Sequence, residues 1–598
     1  MQRFTTHLLT VCSILTCALM DDAASAACSS HQSGNWSAPA TWEGARVPGP
    51  SEPVAIGHAV VVDGDASAGS SAAEVAAIMV TTGGSLTIAA GKTLVVRGDL
   101  TIDQASVRLE AGSFLAFDAS QAAAPATTFF RLNLAGSLTA TGTDAARCTI
   151  RSHPGGGCAS ILVPIGAVST LDLRGCDVLR MGDAGHPAIR SIPNAPALSV
   201  YRLTRCRFDA CGQIYVDSQG ASGSTVISLH GVTCANSMDP TSCLVTCFSN
   251  SQPDLEHGAA YEIVDSVFDL PATLYCAQKA VITGNFFNEN LGLTNTPMPR
   301  FDGNLVRNGV HRDLNWYGDI TNSYVLHDHT VPNPHSLSLR GGRDQLVDGV
   351  IFEYSGTDGQ GDMVIPDAAQ QPTTATIRHC IVLPNSGGQH AGTLFSGGGG
   401  INNTIVCEHN TFVASDEPGT VLGETYLGHQ GMVGSFRSNI CWSRVRGPLT
   451  FLVHQYSQVP DLISAANVAC NLGFNLLPGA NGHGYDVHAV GAFGDKDLPF
   501  DTDPRFVDPD RNIPTWYRSI RGRSTGSDAG DRAAALAELK KRNDPTGYDP
   551  AFSIEALMRY VRAGFAPQNP ALKGTAHDGT DVGAVMMAGK VSGGGTRK

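Results

Sequence analysis

The stretches ATIRHCIV (Ala375–Val382), IVCEHNTF (Ile405–Phe412) and GSFRSNIC (Gly434–Cys441) decide the fold of this chain. Each carries an apolar residue, an exposed polar one, a small or amide residue, and then another apolar one. The small or amide positions are Cys380, Asn410 and Asn439. The same phrase stands earlier in LDLRGCDV, YRLTRCRF, YEIVDSVF, AVITGNFF, FDGNLV and QLVDGVIF, with anchors Cys176, Cys206, Ser266, Asn285, Asn304 and Val350. Ser266, Asn285, Asn304 and Ser323 (in DITNSYV) follow at steps of 19; Val350, Cys380, Asn410 and Asn439 follow at 30, 30 and 29. One short strand per repeat at such a period predicts a parallel β-solenoid.

Working outward, the N-terminal side reads as shorter alternating strands. GGSLTIAAGKTLVVRGDLTI and VRLEAGSFLAFDAS alternate apolar and polar residues between Gly-Gly, Ala-Gly and Arg-Gly-Asp turns. The C-terminal side differs: DPRFVDPD (Asp503–Asp510) ends the strand series. DRAAALAELKKR (Asp531–Arg542) predicts a helix, and a second is expected from Pro550 to Val561, with Asp549 as N-cap and Pro550 in the first turn. With a last strand in TDVGAVMM (Thr580–Met587), these form the expected cap or flank of the stack. The chain divides into a signal peptide (1–27), a β-rich entry with the first turns (28–150), the main β-helix (151–510) and a closing segment (511–598).

The 598 residues include 67 glycines, only 16% are charged, and the net charge is −14. A turn-rich acidic chain of this kind is not a nucleic-acid binder, which needs a dense basic face. Arg3, the apolar run Leu8–Met20 and Ala-Ser-Ala-Ala at 24–27 have the layout of a cleaved export signal, too short for a permanent span. The expected product is a monomer, secreted, periplasmic or held at the cell surface. Export permits disulfides among the fourteen cysteines left after cleavage; Cys148 and Cys158, flanking a Gly-rich loop, are the favoured pair. Cys176 and Cys206 share a column and are either bridged or free.

Over residues 75–510 the repeats resemble the right-handed parallel β-helix, or pectate-lyase-like, superfamily. The ending DPRFVDPD with NPALKGTAHDGTDVGAV resembles the closing motif of bacterial exported β-helix proteins. The entry NWSAPATW with VPGPSEPVAIGHAVVVDG is similar to the eight-glycine domain of some animal hyaluronan-binding and -degrading ectoproteins. The resemblance implies an all-β right-handed solenoid and an extended, acidic extracellular polysaccharide as partner. The chain shows none of the catalytic signatures of polygalacturonases or pectin methylesterases, nor that of the pectate lyases.

Three groups of residues could carry chemistry. The position two before the anchor holds Asp348, Arg378, Glu408 and Arg437 on consecutive turns, an acid/base strip or an ion-pair ladder. His379 and His409 form a column beside it. In Val325–Asp344, His327 and His329 point to one side of an extended segment, with Arg340 and Arg343 close behind. Asp358 and Asp362 lie in the Gly-rich SGTDGQGD, where the resemblance implies calcium; a solvated turn is the alternative. β-Elimination needs a neutral base and a cation. With lysine nearly absent, the base would be His327, His329 or Tyr324, and the cation Arg340 or Arg343. Hydrolysis would instead pair Asp348 with Glu408 or Asp358 with Asp362. A non-catalytic glycan-binding stalk is the remaining expectation.

Overall fold

The computed structural model describes residues 27–585 except for internal stretches, the longest being 248–258, 384–403, 414–424, 455–467 and 489–501. The chain forms two compact units, residues 1–163 and 164–598. In the first, strands pair in parallel one turn above another: Val54 with Ile78, Ile78 with Leu100, Leu100 with Leu132. Val60, Leu86, Val107 and Leu138 make a second buried column, and Leu94, Leu115 and Ile150 a third. At the entry, Trp36 and Trp42 meet edge to face at 4.8 Å, and the Trp42 indole N–H donates to the Trp36 carbonyl.

The second unit is a parallel β-helix whose repeat is the phrase read above. The residue three before each anchor stacks through eleven turns: Leu173, Leu203, Leu229, Ile263, Ile282, Phe301, Ile320, Val347, Ile377, Cys407 and Phe436. All are buried. Two turns of this series escape the sequence reading: Val232, in the same column as the anchors, and Asn471 at the far end.

A bend precedes every anchor. The residue before it has positive φ: Gly175, Arg205, Gly231, Asp265, Gly284, Gly303, Asn322, Gly349, His379, His409, Ser438 and Cys470. This left-handed corner turns the chain from one sheet into the next and leaves two backbone groups without ladder partners. The anchor side chain of the next turn satisfies both when it is Asn. Asn410 Oδ1 accepts from Cys380 N at 2.9 Å while Asn410 Nδ2 donates to Ile377 O at 3.0 Å. Asn439 serves Asn410 N and Cys407 O in the same way, and Asn471 serves Asn439 N and Phe436 O. Cysteine anchors do half the work, Cys206 Sγ donating to Leu173 O and Cys380 Sγ to Val347 O. Serine anchors reach the amide: Ser266 Oγ accepts from Val232 N, with Leu229 O at 3.4 Å, and Ser323 Oγ accepts from Asn304 N. The column therefore selects small donors and amides.

Asn410→Ala should cost the fold two buried hydrogen-bonding groups, at about 1–3 kcal/mol each. A matching fall in unfolding free energy by urea titration is the expected result; an unchanged midpoint would mean that the ladder contributes nothing.

The thiols also correct the disulfide expectation. Cys148 is buried, with Sγ 3.1 Å from Glu110 O, and the twelve described cysteines, Cys158, Cys176 and Cys206 included, are thiols and not disulfides.

The closing segment forms three helices, α1 (Ile513–Arg521), α2 (Asp528–Lys540) and α3 (Ile554–Gly564). α1 was not expected from the sequence. α3 starts at Ser553, whose side chain accepts from Ala556 N, so Asp549 is not its cap. Residues 580–585 form bends, not the expected strand, whose last two residues lie outside the described residues. The helices flank the solenoid: Trp516, Leu536, Leu539, Leu557 and Val561 join one cluster with Val267, Phe286, Leu305, Tyr324, Ile351, Ile381, Ile440 and Leu472. Polar ties pin them at several heights: Asn543 Nδ2 to Asp265 O, Lys540 to Asp269, Arg532 to Glu353 and Arg562 Nη1 to Gly349 O. No helix among the described residues is long and apolar enough to cross a membrane.

Candidate functional site

The strip two before the anchor is in register, with Asp348 beside Arg378, Arg378 beside Glu408 and Glu408 beside Arg437. The charges resolve into two pairs. Arg378 Nη2 lies 2.8 Å from Asp348 Oδ2, and Arg437 bonds Glu408 Oε1. The opposite signs come from strand register alone, since successive turns stand about 4.8 Å apart.

Next to this strip lie the two corner histidines. His379 and His409 adopt left-handed conformations (φ 53 and 55) where Gly284, Gly303, Asn322 and Gly349 stand in the turns before them. Histidine tolerates this region better than most side chains. At those corners the rings stack, with centroids 5.5 Å apart, and His577 of the closing segment extends the stack at 5.3 Å from His409.

Each imidazole meets a carboxylate. His379 Nδ1 is 2.8 Å from Asp348 Oδ1, His409 Nε2 is 3.2 Å from Asp578 Oδ2, and His577 Nε2 is 3.6 Å from Glu408 Oε2. Burial pulls the Asp348 carboxyl upward, but the hydrogen bond and charge of His379, with the charge of Arg378, outweigh it and hold the group below its usual range. Asp578 is likewise pulled up by burial but brought down to about 2, chiefly by the Thr580 hydrogen bonds and then by His409 and His577. His577 is pushed down, first by burial.

Asp348 is thus an ionised acceptor, so His379 Nδ1 donates to it and Nε2 carries the lone pair in the neutral ring. A base, its orienting carboxylate and a guanidinium, Arg378, share one corner. The His379 side chain is 27% exposed.

A groove of about 950 Å³ runs along the neighbouring corners. Its floor is the corner column Asp265, Gly284, Gly303 and Asn322, and Arg542, Arg559 and Arg562 line the helix side. Arg562 closes its upper end, donating to Gly349 O and to His379 O. The corner of His379 therefore stands next to the end of the groove.

The other sequence candidates are spread out. His327 lies on the strand Tyr324–Asp328, in register with Tyr354 and on the sheet after the corner, unlike Arg378 and Glu408, which end strands before it. Arg340 pairs with Asp367 in a separate two-stranded sheet. His329, Arg343, Asp358 and Asp362 lie outside the described residues, as does nearly all of the expected signal peptide. Tyr324 is fully buried and donates its phenol proton to Glu353 beneath α2; burial, then the Glu353 charge, push its pKa well above the usual value. It is not available as a base near neutral pH.

His577, Asp578 and Arg562 were not singled out from sequence. HDGTD was visible as part of a closing motif, but no local pattern says that it returns to a corner 169 residues earlier. No protein-family model matches the chain, and no curated protein matches it significantly.

Proposed function

We propose that this is an exported, pectate-lyase-like β-helix protein that binds an acidic, uronate-containing polysaccharide along the corner groove and cleaves it by β-elimination. The observation that carries the reading is the His379–Asp348–Arg378 corner at the end of a groove walled by arginines. Guanidinium groups recognise carboxylates by paired hydrogen bonds. A regular row of corners suits a regular polymer.

In this chemistry His379 Nε2 takes the proton beside the uronate carboxyl group. Arg378 lowers the energy of the enolate-like charge. The electron pair forms the new carbon–carbon double bond as the glycosidic oxygen departs, and that oxygen receives a proton from the imidazolium or from water. Export and the eight-glycine character of the entry belong to the same proposal.

The test is incubation with pectate, alginate, hyaluronan, chondroitin and neutral glycans, reading both unsaturated uronate by ultraviolet absorbance and new reducing ends. Both signals should rise together on one or more acidic glycans and on no neutral one. New reducing ends without unsaturation would replace elimination by hydrolysis. Binding without either signal would make the protein a glycan-binding stalk.

A further inference from the structure

The sharpest unexplained chemistry lies where the closing segment meets the corner of His409. The His409 ring is 6% exposed and held between His379 and His577. Its Nδ1 lies 3.2 Å from the Asp581 carbonyl oxygen. A carbonyl oxygen only accepts, so Nδ1 holds the ring proton, and in the neutral tautomer Nε2 presents a lone pair. That lone pair faces Asp578 Oδ2 at 3.2 Å, another acceptor. Asp578 is fixed in this pose because its other oxygen, Oδ1, accepts from Thr580 N and Thr580 Oγ1 at 3.0 and 2.6 Å. Two lone pairs aimed at each other, one of them on a buried ring, call for a cation between them.

We propose that His409, His577 and Asp578 bind one divalent transition-metal ion, zinc by the nature of the donors, which fastens the closing segment to the β-helix. A proton could bridge His409 and Asp578, but the third donor, His577, within reach of both favours a metal. The ligating atoms of all three residues lie within 4.8 Å of one another. Donors on a tetrahedral zinc at about 2.0–2.1 Å stand about 3.3 Å apart. The 3.2 Å separation of His409 Nε2 and Asp578 Oδ2 already matches that spacing.

The outer contacts also fit. A metal-bound imidazole is oriented by a partner on its second nitrogen. Asp581 O plays that part for His409, and Ser438 Oγ, 2.8 Å from His577 Nδ1, can accept from it. Ser438 Oγ also accepts from the His577 backbone N–H at 2.9 Å, which fixes the residue from two sides. Glu408 Oε2 lies 3.6 Å from His577 Nε2, with Oε1 engaged by Arg437, but stands outside the three donors that lie within 4.8 Å of one another, so the three residues leave the fourth position open. Imidazole and carboxylate donors in this number favour zinc over calcium or magnesium, which take oxygen cages.

The ion would add to a seam that already buries Val582 and Ala584 in the apolar cluster shared with the solenoid. Residues 577–584 join the solenoid through the His577–Ser438 contacts, Gly583 N to Ser438 O and Ala584 N to Thr411 Oγ1. A metal joining position 409 to positions 577 and 578 locks that seam by binding the folded state alone.

The experiment uses the full-length protein without its expected signal, stripped with a chelator, dialysed and titrated with Zn²⁺ by calorimetry and with Co²⁺ by visible spectroscopy. One equivalent should bind, with the intense visible bands of tetrahedral cobalt, and the melting temperature should rise with Zn²⁺. Asp578→Asn and His577→Gln should weaken binding by at least the roughly 10- to 100-fold that loss of an outer-shell partner alone produces, with unchanged circular dichroism. Asp578→Asn is nearly isosteric at a side chain 44% exposed, so it reads the site even if a histidine variant fails to fold. Absence of saturable binding overturns the proposal. So does equal affinity in the His577→Gln/Asp578→Asn double variant, which would place the ion on cysteines. Stabilisation by mild acid with no response to Zn²⁺ would assign the bridge to a proton and also overturn it.

Discussion

Deleting residues 511–598 will leave the β-helix unable to fold to a soluble monomer. The deletion uncovers the position immediately after the anchor on eight described turns: Val267, Phe286, Leu305, Tyr324, Ile351, Ile381, Ile440 and Leu472, each at most 1% exposed in the intact chain. Full burial of one such side chain contributes about 1.5–3 kcal/mol. Eight together represent on the order of 10–20 kcal/mol, as large as the roughly 5–15 kcal/mol stability of an ordinary domain. The deletion also takes Arg532 away from Glu353, which keeps only the Tyr324 phenol as a partner. The expected outcome is aggregation on expression, or a species that binds a hydrophobic dye and lacks a cooperative melt. A soluble truncation with the melting temperature of the intact chain would show that the helices are an appendage.

The same eight positions show what the sequence announced and what it concealed. In the early turns the residue after the anchor is polar: Asp177, Arg207 and Thr233. From Val267 onward the phrase closes with two apolar residues on seven turns, VF, FF, LV, YV, IF, IV and IC, the exceptions being TF at Thr411 and LG at Leu472. A strand apolar on both faces is a strand covered on both faces, so the sequence already stated that something packs outside these turns. Reading the phrase only for its inward residue missed this, and the closing helices were expected chiefly as a cover for the last turn.

The solenoid itself was legible because it is periodic. An anchor whose amide bonds the turn before it recurs at each corner whatever the intervening loop, so spacing and residue type reveal it together. Val232 was missed because its phrase falls out of step, 26 residues after Cys206 and 34 before Ser266. Asn471 was missed because the step to it lengthens to 32.

The site was legible only in part. Register placed Asp348, Arg378, Glu408 and Arg437 on one strip, since stacked turns convert sequence spacing into adjacency. The corner position of His379 and His409, one residue before the anchor, follows from the same alignment. Closeness between residues 409 and 577 follows from no repeat, because the closing segment crosses the stack by tertiary packing. The density of His and Arg in Val325–Asp344 was the louder signal in composition. His327 and Arg340 nevertheless stand on separate sheets, because composition does not report which side of a corner a residue occupies.

His379→Asn should lower the turnover of acidic glycan by about 10²–10⁴-fold, the range that general-base catalysis supplies. Asparagine is the informative substitution. It tolerates the left-handed corner, so the melting temperature should stay near that of the parent chain while the proton acceptor is lost. His379→Ala would confuse the two effects, because alanine at positive φ strains the backbone. Asp348→Asn provides the positioning test: an amide can donate to Nδ1 and so turn the lone pair away from substrate, as well as removing the charge that favours the imidazolium. It should lower kcat with KM little changed, since the amide misorients the base without touching the arginines that line the groove. A merely structural Asp348 would change the melting temperature and leave kcat in place. The competing location is tested alongside by His327→Ala and His329→Ala. Loss of cleavage in these two with full activity in His379→Asn would move the catalytic centre to the Val325–Asp344 segment, and the His379 corner would then be a structural ion-pair turn.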